Sequence, residues 1–282
     1  MERPLKWPGG KSWLAPRVSR LIEEVEPTTV AEPFCGGLSF SLHYKFERVI
    51  ANDIITPLIN FYRHIQAGAK PNPADWQLGE HFYNDVKARF NQMVDDGKLN
   101  SREAADMFWY LNKHGFNGMV RFNQKGHWNI SIGDYKQVSS PIGFDNFYDV
   151  SRRWKFSNGS FQDLDVSTAK LLLADPPYAH VSETAKVFAN YSGKGFKFNK
   201  QIELADWLAD HSMPMIACNS PNKELAQIYK ARGFKVYITM APRSVSCKGN
   251  GRGKVPEMLA FKGFGENRKF SLLVDEISHW RL

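Results

Sequence analysis

Asp175-Pro176-Pro177-Tyr178 places a carboxylate, two prolines and a phenol in consecutive positions. Proline fixes its own φ and has no N–H to donate. The Pro176 carbonyl is therefore an acceptor held beside the Asp175 carboxylate, and Tyr178 adds a flat aromatic face. Together they can hold a planar molecule that bears an amino group. Three leucines, Leu171 to Leu173, lead into the tetrapeptide, which places it at the C-terminal end of a short buried strand. The same residues also read as a strand ending in a polyproline turn, and only the rest of the chain decides between the two.

Two further stretches carry ligand chemistry. Lys6-Trp7-Pro8-Gly9-Gly10-Lys11 combines glycines that permit close backbone approach, cationic lysines and a stacking face. Phe34-Cys35-Gly36-Gly37 follows a short apolar strand predicted over 28–33 and precedes a helix over 38–44. A strand, a glycine turn and a helix is how α/β proteins cradle a cofactor. The next strand, over 48–52, ends in Asp53, an acid suited to ribose hydroxyls. The G-x-G-x-x-G pattern is absent, so a dinucleotide site is disfavoured and a nucleoside-type cofactor stays open.

The elements that position these groups follow from periodicity. A helix is expected from Ser12, with Leu14, Val18, Leu21, Ile22 and Val25 on one face. Helices over 58–66, 79–93 and 101–113 then replace the α/β alternation. Next comes a polar and aromatic stretch containing Phe116, Asn117, Met119, Arg121, Phe122, Asn123, Lys125, Trp128 and Asn129. It reads as a hairpin turning at Gln124-Lys125-Gly126. Arginine and asparagine read base edges and an aromatic can wedge a base stack; standing alone, the stretch reads first as a structural hairpin with a polar rim. The α/β pattern resumes after Trp154. A strand precedes Phe161-Gln162-Asp163, a lid is expected over 183–198, and a helix over 201–211 follows. Then come a strand over 215–219, a helix over 222–231, and strands over 235–240 and 258–261. Residues 243–254, including Arg252 and Lys254, form a basic, glycine-rich loop suited to phosphates.

Composition bounds the function. The 282 residues, 43% hydrophobic and 23% charged, suit an ordinary soluble α/β protein with an insertion. No apolar run reaches membrane-span length and the N-terminus lacks a secretory pattern. The three cysteines are odd in number and far apart, against a disulfide framework or zinc site and in favour of a reducing cytoplasm. The net charge of +8 points to a polyanionic partner.

These residues together resemble the Dam-type (D12 class, alpha group) adenine-N6 DNA methyltransferases, over almost the whole chain. Lys6 to Lys11 match that family's N-terminal cofactor motif. Glu32-Pro33-Phe34-Cys35-Gly36-Gly37 match its glycine motif, and Asn52-Asp53 its ribose-binding acid. The segments 111–119 and 121–123 match the part inserted into DNA, and Asp175-Pro176-Pro177-Tyr178 the catalytic motif. The resemblance implies a Rossmann-like α/β sheet, residues 1–56 and 154–282, that binds S-adenosyl-L-methionine. It also implies a mostly helical target-recognition domain, residues 57–153, carrying a β-hairpin. Catalysis falls to Asp175, Pro176 and Tyr178. Lys6, Trp7, Gly9, Gly10, Lys11, Phe34, Gly36, Gly37, Asp53, Phe161, Asp163 and Asp175 are expected at the cofactor. Lys6, Phe116, Asn117, Met119, Arg121, Asn123, Lys125, Arg252 and Lys254 are expected at double-stranded DNA.

No metal and no membrane are implied. The expected protein is a cytoplasmic monomer, bacterial or phage-encoded, that can pair on DNA; whether it stands alone or in restriction-modification is open. Two departures stand out. Leu38 occupies a position where some members carry a third glycine. Ile130-Ser131-Ile132-Gly133-Asp134-Tyr135 replaces the Val-Pro-Phe-Gly-Arg-Tyr run usual in members that methylate GATC. Cytosine-N4 methylation and a catalytically silent DNA-binding module are the alternative functions.

Overall fold

The computed structural model describes residues 2–178, 196–242, 253–265 and the backbone of 280–281. The expected lid before Phe196, Arg252, and most of the basic loop lie outside the described residues.

Eight strands form one sheet. β1 (Thr29–Glu32), β2 (Arg48–Asp53), β3 (Lys155–Asn158), β4 (Leu171–Ala174) and β5 (Met215–Asn219) run parallel. β6 (Lys235–Pro242), β7 (Lys254–Lys262) and the short β8 (Trp280–Arg281) complete it, with β7 inserted antiparallel between β5 and β6. The order is β3-β2-β1-β4-β5-β7-β6-β8. β1 and β4 are buried at every position, which explains their unbroken apolar reading: parallel strands covered on both faces need no polar alternation. Their period of two appears in the packing. Val30, Leu171 and Leu173 join one apolar core, and Ala31, Leu172 and Ala174 join the other.

β1 pairs with β2 on one side and β4 on the other. The chain thus leaves the middle of the sheet in opposite directions, and a crevice opens at the strands' C-terminal ends. Glu32-Pro33-Phe34 and Asp175 both emerge there.

The helix expected from Ser12 is broken. Two 3-10 turns, Lys11–Trp13 and Ala15–Arg17, precede α1 (Ser19–Val25). Pro16 has no N–H for a helical bond, so regular winding starts only after it. α2 (Ser39–Tyr44), α7 (Phe198–Ala209) and α8 (Lys223–Ala231) lie within a few residues of expectation. Asn222 caps α8 by accepting from Leu225 N at 2.9 Å.

Between β2 and β3 lie α3 (Thr56–Gln66), α4 (Glu80–Asp95), α5 (Arg102–His114) and α6 (Phe144–Ser151); α6 is not among the expected helices. Tyr62 of α3 stacks on Phe156 of β3 at 5.4 Å and on Phe147 of α6 at 5.5 Å. The apolar core therefore runs from the sheet into the helices without a break. The hairpin is looser than expected, held by single bridges between Phe122 and Trp128 and between Gly115 and Ile132. Lys254 is not in a loop: it opens β7 opposite Pro242, with its side chain exposed. Among the described residues no helix is long and apolar enough to cross a membrane, and no cluster of three or more His, Cys, Asp or Glu could hold a metal.

Candidate active site

The crevice at the strand ends is a cavity of about 500 Å³. Its lining brings together Trp7, Gly9, Gly10, Lys11, Phe34, Gly36, Gly37, Asp53, Phe161, Asp175, Pro176 and Tyr178. These residues come from five separate stretches of the chain.

The glycines are required by Trp7. Gly36 has φ of 42°, and a Cβ built there would lie 2.6 Å from Trp7 Nε1; one built on Gly37 would lie 2.6 Å from Trp7 Cβ. Trp7 packs this close to the turn only because neither residue has a side chain. Phe34 meets Phe161 at 5.4 Å and Phe196 at 5.6 Å between ring centroids, forming an apolar wall beside that turn. Asp53 is buried opposite it. Its Oδ2 accepts from Gly36 N and its Oδ1 from Ile55 N, both at 3.1 Å. Burial pushes its carboxyl up to about 6, against the pull of these N–H donors. The Ile54 N–H also stabilises the charged form, and the carboxylate keeps acceptor capacity for a further donor.

Lys11 is 2% exposed, and its Nζ lies 3.0 Å from Asp175 Oδ1 and 4.0 Å from Glu257 Oε2. It also donates to Gly9 O at 2.5 Å and sits 4.8 Å from the Tyr178 ring centroid. Burial works against its charge, but Asp175 and Glu257 outweigh burial and raise its pKa, so it stays protonated. Burial raises the Asp175 pKa while Lys11 and Tyr178 oppose the rise. Tyr178 donates its phenol to Glu257 Oε2 at 2.9 Å. Gln201, fully buried on α7, donates to Pro177 O at 2.7 Å and accepts from Asn219 at 2.9 Å. The Asp-Pro-Pro-Tyr turn is thus held at three of its four residues.

The sequence reading missed Glu32, Gln201 and Glu257. Glu32 lines the cavity and is buried, its Oε1 bound by the backbone N–H and hydroxyl of Ser41. Burial lifts its carboxyl to about 7. An acid directly before the glycine turn was a readable signal for it. Glu257 stands alone among apolar strand residues, and only the insertion of β7 beside β5 delivers it to the cavity.

Two expected cofactor residues are elsewhere. Asp163 is exposed on a 3-10 turn and does not line the cavity. Lys6 turns away to the end of α5. Its backbone N–H donates to Asn112 Oδ1 at 2.9 Å, and its Nζ to Lys113 O at 2.7 Å and Tyr135 Oη at 3.0 Å.

That places Lys6 beside the segment expected at DNA. Phe116 is 48% exposed and Asn117 has φ of 53°, so both project from a left-handed turn. Met119 is half-buried against the core. Arg121 is exposed and donates to Asn129 O at 2.8 Å. Lys125 is exposed at the turn tip. Asn123 is partly committed to the fold: its Oδ1 accepts from Lys125 N and His127 N. Phe122 and Trp128 are core residues and not wedges, and Trp128 donates to Tyr83 Oη at 2.9 Å. The aromatic signal in this stretch therefore mixed one exposed ring with two buried ones.

Comparison with known proteins matches residues 7–244 to the D12 class of N6 adenine-specific DNA methyltransferases. The chain is 32% identical over 270 residues to a DNA adenine methylase of Vibrio cholerae, covering 91% of this chain and 94% of that protein. It is 30% identical over 270 residues to the DNA adenine methylase of Escherichia coli K12, covering 91% and 93%. It is also 32% identical over 269 residues to a DNA N-6-adenine-methyltransferase of Escherichia phage P1, where it spans 90% of its own length and 34% of the relative's. A match across this much of the chain, on a fold that gathers the glycine turn and the Asp-Pro-Pro-Tyr turn at one cavity, shows that the chain belongs to the D12 class of N6 adenine-specific DNA methyltransferases.

Proposed function

We propose that this chain transfers a methyl group from S-adenosyl-L-methionine to the exocyclic amine of an adenine flipped out of double-stranded DNA. The observation that carries the reading is the sharing of one cavity by Gly36, Gly37 and Asp53 with Asp175, Pro176 and Tyr178. The cavity fits the cofactor: a side-chain-free turn, an aromatic wall and a carboxylate with spare lone pairs suit a nucleoside. Asp53 would accept from the ribose hydroxyls, Phe34 and Phe161 would flank the adenine ring, and Trp7 and Lys11 would close the other end. When bound, S-adenosylmethionine supplies an electrophilic methyl.

The chain's own groups supply the rest. An exocyclic amine is a weak nucleophile because its lone pair is drawn into the ring. Asp175 and the Pro176 carbonyl accept hydrogen bonds from its two N–H groups and turn the lone pair toward the methyl, which is catalysis by orientation and electrostatics; the one N–H proton displaced by the new N–C bond then leaves by way of the Asp175 carboxylate to solvent. Lys11, beside Asp175, favours the ionised acceptor. The target amine is out of reach inside a duplex, so the base must leave the stack, and Tyr178 offers it a face. Residues 57–153 form the target-recognition domain in this reading, with Phe116, Asn117, Arg121 and Lys125 facing DNA. The family match supports adenine over cytosine as the target.

Purified enzyme, labelled S-adenosylmethionine and genomic DNA from a methylation-free host test the reading. Label recovered as N6-methyladenine is expected; label in N4-methylcytosine, or none, would overturn it.

A further inference from the structure

Glu257 helps to keep Lys11 charged, but its closer contact is not explained by that role: it is an acid only 13% exposed on a strand of mostly apolar residues. Burying a carboxylate is costly unless it is paired, and here both partners belong to the site. The nearer is the Tyr178 phenol, which donates to Oε2 at 2.9 Å. Lys11 lies at 4.0 Å, beyond hydrogen-bond range, and already binds Asp175 at 3.0 Å and Gly9 O at 2.5 Å. The direct bond of Glu257 is therefore to the tyrosine. The tyrosine side chain can swing about its Cα–Cβ bond, and stacking needs the ring in one place. Lys11 Nζ lies against the ring at 4.8 Å, the apolar core packs on it, Asp175 interacts with its hydroxyl, and Glu257 accepts the hydroxyl's hydrogen bond at 2.9 Å. The Glu257 backbone is fixed in turn by β7, where it lies opposite Thr239 of β6 and next to Met258, the partner of Asn219 in β5.

We propose that Glu257 is a positioning residue for methyl transfer: through the phenol it anchors the tip of the Tyr178 side chain, and so holds the ring in the place where an extruded base stacks. The proposal rests on the function proposed above. No proton changes place in this role; the phenol keeps its hydrogen and donates a hydrogen bond to the carboxylate.

The test is a double-mutant cycle on the full chain, read as single-turnover methyl transfer to unmethylated genomic DNA. Glu257→Leu should slow transfer about 10- to 100-fold, the range for losing a hydrogen bond to a charged group, with S-adenosylmethionine affinity and melting cooperativity retained. Glu257→Gln keeps an oxygen acceptor at the same reach and should restore most of the rate. In the Tyr178→Phe background, which keeps the ring and removes the donor, Glu257→Leu should cost almost nothing further. Equal cost in both backgrounds, or no rescue by glutamine, would overturn the positioning role and leave Glu257 as a structural acid. If the wild-type enzyme transferred no methyl to adenine, the underlying function itself would fall; the two failures are read from different samples.

Discussion

Asp53 is buried on β2, yet the role proposed for it, accepting from ribose hydroxyls, is served best by the charged form. Burial places its carboxyl near 6, so it gains a proton as pH falls through that value. Cofactor affinity should weaken about 3- to 10-fold between pH 7 and pH 5. Apo-enzyme stability should move the other way. The native pKa is above the unfolded one, so the native state binds more protons between about pH 4 and 6, and this share of stability is lost as pH rises through that window. Calorimetric titration at both pH values, with Asp53→Asn as a pH-independent control, checks the first trend; an unchanged wild-type affinity would remove Asp53 from the ribose. Asp53 was readable because it ends a strand after a glycine turn. Glu257 was not, since its role depends on a tertiary pairing between β5 and β7 that no local pattern announces.

At the scale of the element, the turn from β1 into α2 holds a conflict. Leu38 precedes α2 with φ of 52°, a left-handed conformation that disfavours a side chain, and it is fully buried. The backbone strain costs about 1–2 kcal/mol. Deleting a buried leucine side chain costs about 2–5 kcal/mol, so burial wins. Leu38→Gly should therefore lower stability by about 1–3 kcal/mol in urea unfolding despite relieving the strain; an unchanged or raised midpoint would show that the strain dominates. The strands and most helices were legible because buried parallel strands read as apolar runs and amphipathic helices repeat every three to four residues. The breaking of the first helix was not, because tolerance of Pro16 near a helix start competes with its missing N–H. The hairpin was over-read, because Phe122 and Trp128 serve the core.

At the scale of the whole molecule, the +8 charge must meet DNA in two ways. Lys254, exposed at the start of β7, suits a phosphate: Lys254→Ala should weaken every duplex alike and lower the salt slope by about one unit. Arg121 lies beside the exposed Phe116–Asn117 turn, and Arg121→Ala should cost about 1–3 kcal/mol on the preferred site and relax the choice at one base pair. Titrations across salt and single-base variants separate the two; uniform loss for Arg121→Ala would make the hairpin a backbone clamp. The central claim concerns the Asp175 site. The most direct measurement is single-molecule sequencing of DNA from a methylation-free host expressing the wild type or Asp175→Ala. The account predicts N6-methyladenine confined to one sequence motif in the wild type and absent from the variant; methylated adenine persisting with Asp175→Ala, or modified cytosine in its place, would contradict it.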